Sequence, residues 1–158
     1  MVQRCKLLPM HLEMNNSSIK ILAKPSGIAL EEHTSNVMSE ALAILKAKPF
    51  VVKKYLELTG ALIEKRLEIA ARFHDVGKKN PKWQDACQKD FLEFKKWQNK
   101  KGGGFQEYEK KVGKNAGANI RKAGIRHEWS SIKLLEEIFH IKKEQEEVFS
   151  IIEAAIVS

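Results

Sequence analysis

Cysteine is scarce in this chain. Among 158 residues only Cys5 and Cys87 occur, far apart and without any C-x-x-C spacing. A disulfide framework is therefore not expected, and two unpaired thiols fit a reducing cytosol. Long apolar runs are also missing. The opening "MVQRCKLLPMHLEMNN" has no stretch long enough for a secretory signal. The closing "VFSIIEAAIVS" is apolar but broken by Glu153, and a membrane span needs about 20 residues. It reads as a core helix that has been cut off or that ends the chain abruptly. No membrane association and a cytoplasmic location are expected. Alternating strand patterns and internal repeats are absent too, so the expected fold class is all-α.

Charge is plentiful and uneven. The net charge is +8. Residues 78–126 hold 14 Lys/Arg against 5 Asp/Glu, a local net of +9, while residues 127–158 carry −4. A localised cationic stretch points to a polyanionic partner. Within it Lys79, Lys82, Trp83, Lys95, Lys96, Lys100 and Lys101 are the expected nucleic-acid contacts. Phe91, Phe94, Trp97, Phe105 and Tyr108 interleave with the cations and offer rings for unstacked bases.

Residues 1–19 read as an irregular arm and 20–158 as one domain. A helix is predicted over about Leu30 to Ala47, with Leu30, His33, Val37, Ala41 and Ile44 on one stripe. Pro49 punctuates the chain, and a second helix is predicted from about Val51 to Leu58. A third covers residues 61–76, with Ile63, Leu67, Ala70 and His74 on one stripe. Gly77 would close it in the left-handed conformation. Residues 78–126 read as a basic, loop-rich insertion, with one short helix in "KDFLEFKKWQNK". A last pair of helices is predicted over about Glu128 to Phe139, using Ser131, Leu135 and Ile138, and from near Glu144 onward.

Five histidines occur. His11 and His140 have no suggestive context. His33, His74 and His127 each sit on the apolar stripe of a different predicted helix, and Asp75 follows His74 directly. Imidazoles from several helices with a carboxylate among them make a metal site between helices. The donor set suits divalent first-row metals, and the lack of thiolates argues against a structural zinc centre. Lys78, three residues after Asp75, would reach a substrate phosphate or the attacking water.

His33, "FHDVGK" at 73–78 and "RHEWSS" at 126–131 together resemble the HD nuclease domain of type I CRISPR systems, stand-alone or fused to a helicase. "ILAKPSGIALEEHTSNV" is similar to that family's opening, and "NPKWQ" to its Lys-rich turn with an aromatic-Gln pair. The resemblance spans about residues 20–158. It implies an all-α HD-domain bundle that cuts single-stranded DNA in antiviral defence. His33, His74, Asp75 and His127 match the metal ligands, and Asp75 and Lys78 the catalytic pair. A divalent metal (Mn, Ni, Co, Fe, Zn or Mg) is the implied cofactor. A helicase and a CRISPR RNA-guided surveillance complex are the implied partners. The family continues into a His-His pair and a later aspartate, which this sequence lacks. The chain is accordingly expected to be an N-terminal piece, weak or inactive as a nuclease by itself. Two other readings stand beside this one: an HD phosphohydrolase of small nucleotides, and a catalytically incomplete nucleic-acid-binding fragment.

Overall fold

The computed structural model describes residues 20–139. The arm at 1–19, His11, Cys5, His140 and the helix expected from Glu144 lie outside the described residues. The described chain is all-α: α1 (Leu30–Ala47), α2 (Pro49–Thr59), α3 (Ile63–Phe73), α4 (Pro81–Lys101), α5 (Phe105–Val112), α6 (Ala118–Ala123) and α7 (His127–Phe139), with two short 3₁₀ turns. No strand forms among the described residues beyond a single bridge between Leu22 and Ala29.

The segment before α1 is a tight loop. Ala23 N–H donates to the Ile28 carbonyl at 2.8 Å and Leu30 N–H to the Ile21 carbonyl at 2.9 Å. Gly27 turns the chain at φ +91°, and a Cβ there would lie 2.7 Å from the Phe91 ring. Gln84 fastens this loop to α4. Its Oε1 accepts from Leu22 N–H at 3.0 Å, while its Nε2 donates to the Leu22 and Lys78 carbonyls, both at 2.8 Å. Leu22, Trp83 and Cys87 form the apolar core beneath. Burial pushes the Cys87 thiol up to about 12, so it packs as a small apolar group and is inert.

α1 starts with Glu31 and Glu32 in its first turn, which complement the helix dipole. It packs on α3, where the small side chains of Ala70 and Ala71 are buried. The apolar stripe expected on α1 is buried only at its start: Leu30 is buried, whereas Ile44 is exposed. α2 buries no residue, and Phe50 and Leu58 are exposed.

Two expectations are corrected here. Gly77 does not close α3 in the left-handed region; its φ is not positive. It sits in a 3₁₀ turn, Val76–Lys79, and lets α7 approach. A Cβ at Gly77 would fall 2.0 Å from the His127 carbonyl oxygen and 2.8 Å from Ser131 N. Gly77 N–H donates to Ser131 Oγ at 2.8 Å, and that hydroxyl donates to the His74 carbonyl at 3.2 Å. Ser131 and Leu135 are fully buried, and Leu135 packs with Ala70, Ile69, Phe73 and Ile132.

The second correction concerns residues 78–126, which are helical rather than loop-rich. α4 alone spans 21 residues. Asn80 caps it by accepting from Lys82 N–H (3.0 Å) and Trp83 N–H (3.4 Å), and Pro81 takes the first position, where no amide donor is needed. Trp83, Ala86, Cys87, Asp90 and Phe94 supply its buried face at three- and four-residue steps. The lysines occupy the remaining faces, so a high cation count had masked an amphipathic helix. Gly102 (φ +72°) ends it. Phe94, Trp97, Phe105 and Tyr108 then pack on one another, with centroids 5.1–5.8 Å apart, and hold α5 against α4.

Asp90, 1% exposed, caps α6 from α4. It accepts from Asn119 N–H (3.0 Å), Asn119 Nδ2 (2.8 Å) and Ile120 N–H (3.0 Å). Asp90→Ala leaves two partly buried amides at that helix start unpaired. A loss of about 2–3 kcal/mol in urea unfolding is expected. A midpoint equal to that of the parent would contradict this role.

Candidate metal centre

Four elements deliver the candidate ligands. His33 comes from the second turn of α1 and His74 caps the C-terminus of α3. Asp75 is the next residue, Lys78 lies on the 3₁₀ turn, and His127 opens α7. The tight Gly77–α7 packing brings His127 to the same place as the His-Asp pair, 52 positions earlier in the chain. Asp75 is the hub. Its Oδ2 lies 3.1 Å from His33 Nε2, 3.4 Å from His74 Nε2 and 2.6 Å from Lys78 Nζ. Its Oδ1 lies 3.2 Å from His127 Nε2.

The His33, His74 and Asp75 ligand atoms all lie within 4.8 Å of one another. Bonds of about 2.0–2.2 Å around one ion place neighbouring ligand atoms about 3.0–3.5 Å apart. The two histidine–Asp75 separations fit that spacing. His127 is outside the group of three and stands on the other carboxylate oxygen.

His74 fits a cation-binding role best on its geometry. Its Nδ1 donates to the Ala71 carbonyl at 2.7 Å, which settles the ring orientation. Its Nε2 is buried with no hydrogen-bond partner, although it points at Asp75 from 3.4 Å. With Nδ1 protonated, a neutral imidazole directs a bare lone pair at a carboxylate. Either a proton or a metal ion must lie between them. The Asp75 interaction accordingly raises the His74 pKa above its usual value, against the effect of burial. Burial lowers that of His33, outweighing the attraction of Asp75, which keeps this ring in its ligating form. At Asp75 burial opposes ionisation, but the adjacent His127 and His74 rings and the Lys78 ammonium together hold the carboxyl well below its normal range.

A metal ion must displace the His74 proton. Because that pKa is raised, divalent-metal affinity should climb as pH rises through and above 6.5, with proton release on binding. Calorimetry in buffers of different ionisation enthalpy measures both. Affinity that is flat between pH 6 and 8 would rule out His74 as a ligand.

No protein-family model, curated protein or solved structure matches the chain.

The four ligands and Lys78 expected from the sequence are thus brought together, but two assignments change. Lys78 is 8% exposed and bound to Asp75, not extended toward solvent. Its ammonium compensates the buried carboxylate. Trp83 is not a surface for a DNA strand: it is 3% exposed and walls the site. Its ring lies 6.0 Å from that of His127 and 5.5 Å from Lys78 Nζ. Phe94 and Tyr108 are likewise buried, and Phe91, Trp97 and Phe105 are half-buried, all of them packing residues. Lys79, Lys82, Lys95, Lys96, Lys100 and Lys101 are exposed.

Glu128 was not expected. Its Oε1 lies 3.6 Å from His127 Nε2, a second carboxylate at the edge of the site. The signal was available: an acid follows His127 directly, as Asp75 follows His74.

Proposed function

We propose that this chain is a metal-dependent phosphodiesterase of the HD type that hydrolyses single-stranded DNA, as a nuclease of type I CRISPR defence would. One observation supports this reading above the others. Three imidazoles from three helices and one ammonium converge on a single buried carboxylate. When bound, a divalent metal supplies a Lewis acid for the phosphoryl oxygen and lowers the pKa of a water ligand.

The protein's residues set the conditions for that chemistry. His33, His74 and Asp75 would hold the ion, with His127 on the opposite oxygen. Ala71 fixes the His74 ring through Nδ1. Lys78 keeps Asp75 ionised and limits its rotation. Trp83 excludes water from one side. Substrate recognition falls to α4, where Lys82, Lys89, Lys96 and Lys100 share one face. At 1.5 Å per residue they form a row about 27 Å long, long enough to follow several phosphates of a single strand. A helicase that feeds such a strand, and an RNA-guided surveillance complex that exposes it, are the partners this reading requires.

The test is incubation of the chain with end-labelled single-stranded DNA and, separately, with mononucleotides, in Mn²⁺, Ni²⁺, Co²⁺ or Mg²⁺. Slow cleavage of the strand, abolished by a chelator, is expected, in line with a chain that lacks the His-His pair. Turnover of mononucleotides with the strand left intact would replace the reading with a small-nucleotide phosphohydrolase. Metal-indifferent DNA binding without hydrolysis would replace it with a binding module. Strand affinity should also depend steeply on salt. Neutralising Lys95, Lys96, Lys100 and Lys101 should reduce the slope of log K against log salt by up to about 3, at about 0.7 per phosphate contact. An unchanged slope would remove these lysines from the interface.

A further inference from the structure

A cleft of about 590 Å³ opens between α1 and the segment that carries Asp75, lined by sequence neighbours of the candidate ligands rather than by the ligands themselves. One wall is α1, where Leu30, Thr34 and Met38 line the cleft one turn apart, next to His33. The other is the segment that carries Asp75: Arg72 before it, and Val76 and Lys79 after it. The volume falls within the range of about 300–1,000 Å³ typical of small-molecule sites. The floor is aliphatic, and the rim is polar in an ordered way. Glu31 and the hydroxyls of Thr34 and Ser35 are on the α1 side, with Arg72 and Lys79 opposite. Arg72 spends one guanidinium nitrogen on Glu68 at 2.7 Å and retains its other donors. Lys79 is exposed and has no hydrogen-bond or ion-pair partner among the described residues.

We propose that this cleft binds one nucleotide of the single strand, adjacent to the phosphate held at the metal centre. This rests on the reading of the site as a phosphodiesterase and names a subsite for it. The charges orient the occupant. A phosphate is drawn to Arg72 and Lys79 and repelled from Glu31. The base then faces α1, where Leu30 and Met38 cover its ring and the carboxylate and hydroxyls accept from or donate to its edge. Arg72, Val76 and Lys79 belong to the same short segment as Asp75, so a nucleotide seated here would set its neighbouring phosphodiester toward the metal-facing side of that segment. The cleft thus fixes which bond of the strand lies over the site.

The experiment uses the full chain in chelator, so that it reads binding alone. Fluorescence anisotropy follows a labelled tetrathymidylate, and a 5-iodouracil-substituted version maps contacts by photo-crosslinking. Crosslinks are expected on residues 21–38 or 72–79. Crosslinks confined to α4 and α5 would overturn the proposal. Met38→Trp fills the cleft and should weaken tetramer binding at least 10-fold, and Lys79→Gln about 3-fold. Mn²⁺ affinity, measured separately by calorimetry, should be unchanged. Ser35→Trp, on the exposed rim, serves the same purpose if Met38→Trp does not fold. Parent-like tetramer affinity in a folded, cleft-filled variant would overturn the proposal. The two readings fail separately. Cleft-dependent tetramer binding in a chain with no metal affinity sinks the catalytic reading, and cleft-independent binding in a chain that takes up Mn²⁺ sinks the subsite.

Discussion

Asp75→Asn should lower divalent-metal affinity by more than about 100-fold, since even loss of a ligand's supporting partner costs 10–100-fold. On the proposed reading any DNA cleavage should fall by about 10³-fold or more, because the carboxylate on which the other members of the site converge is gone. Two contacts converge on Oδ2 from histidines and a third on Oδ1, so no other side chain can replace it. The variant should also be destabilised. Lys78 Nζ, 2.6 Å from Asp75 Oδ2, would be left as a buried cation facing a neutral amide. Removing one partner of a buried pair costs about 3–5 kcal/mol. Asp75→Asn combined with Lys78→Met removes both charges and should recover most of that stability while metal binding stays lost. Urea unfolding and calorimetry on the single and double variants separate the two effects. A double variant that regains metal affinity would show that Asp75 acts only as a counter-charge.

The pH dependence of stability follows from the same carboxylate. Its pKa is depressed in the folded protein, so its contribution is present above the unfolded-state value of about 3.9 and fades as pH falls below it. Asp75→Asn should therefore flatten the acid limb of the stability curve.

The second large effect is expected at a residue with no side chain. Gly77→Ala would place a methyl group 2.0 Å from the His127 carbonyl oxygen and 2.8 Å from Ser131 N. Both are backbone atoms of α7 and cannot swing aside as a flexible side chain would. Relief requires α7 to move off the 3₁₀ turn. That would break the Gly77–Ser131 and Ser131–His74 hydrogen bonds and unseat Leu135 from its core. The expected cost is about 3 kcal/mol or more. His127 moves with α7, so the contact to Asp75 Oδ1 should be lost as well. Denaturant unfolding tests the first effect, and the chemical shifts of the histidine ring protons test the second. A parent-like midpoint would mean that α7 does not sit against this turn.

These two positions show how differently the parts of the protein could be read. His33, His74, Asp75 and His127 were legible in the sequence because a histidine on an apolar helical stripe is conspicuous, and three of them with an adjoining carboxylate form a recognisable donor set. The helical class was legible for a similar reason: apolar residues recur at three and four positions and nowhere alternate. α1 could be delimited closely from its stripe and its flanking Pro and Gly punctuation.

Gly77 could not be read in this way. A glycine after a helix has two physical uses, a left-handed turn or a close approach, and only the position of α7, 50 residues later in the chain, decides between them. The same holds for α4. Its lysines and the glycines at 102–104 dominated the local composition, while the five-residue buried face became meaningful only once the Leu22 loop and α6 were packed against it. Lys78 and Trp83 were marked as functional residues but given other neighbours than the ones they have. A lysine beyond a helix end and a tryptophan in a basic stretch look solvent-facing until tertiary packing turns one onto Asp75 and the other against His127. Local periodicity and donor chemistry are properties of short stretches, so the sequence by itself determined the helical class and the candidate ligands. Which oxygen each ligand faces, which charge is buried and which glycine must stay bare depend on contacts between distant segments, and only the tertiary structure decided them.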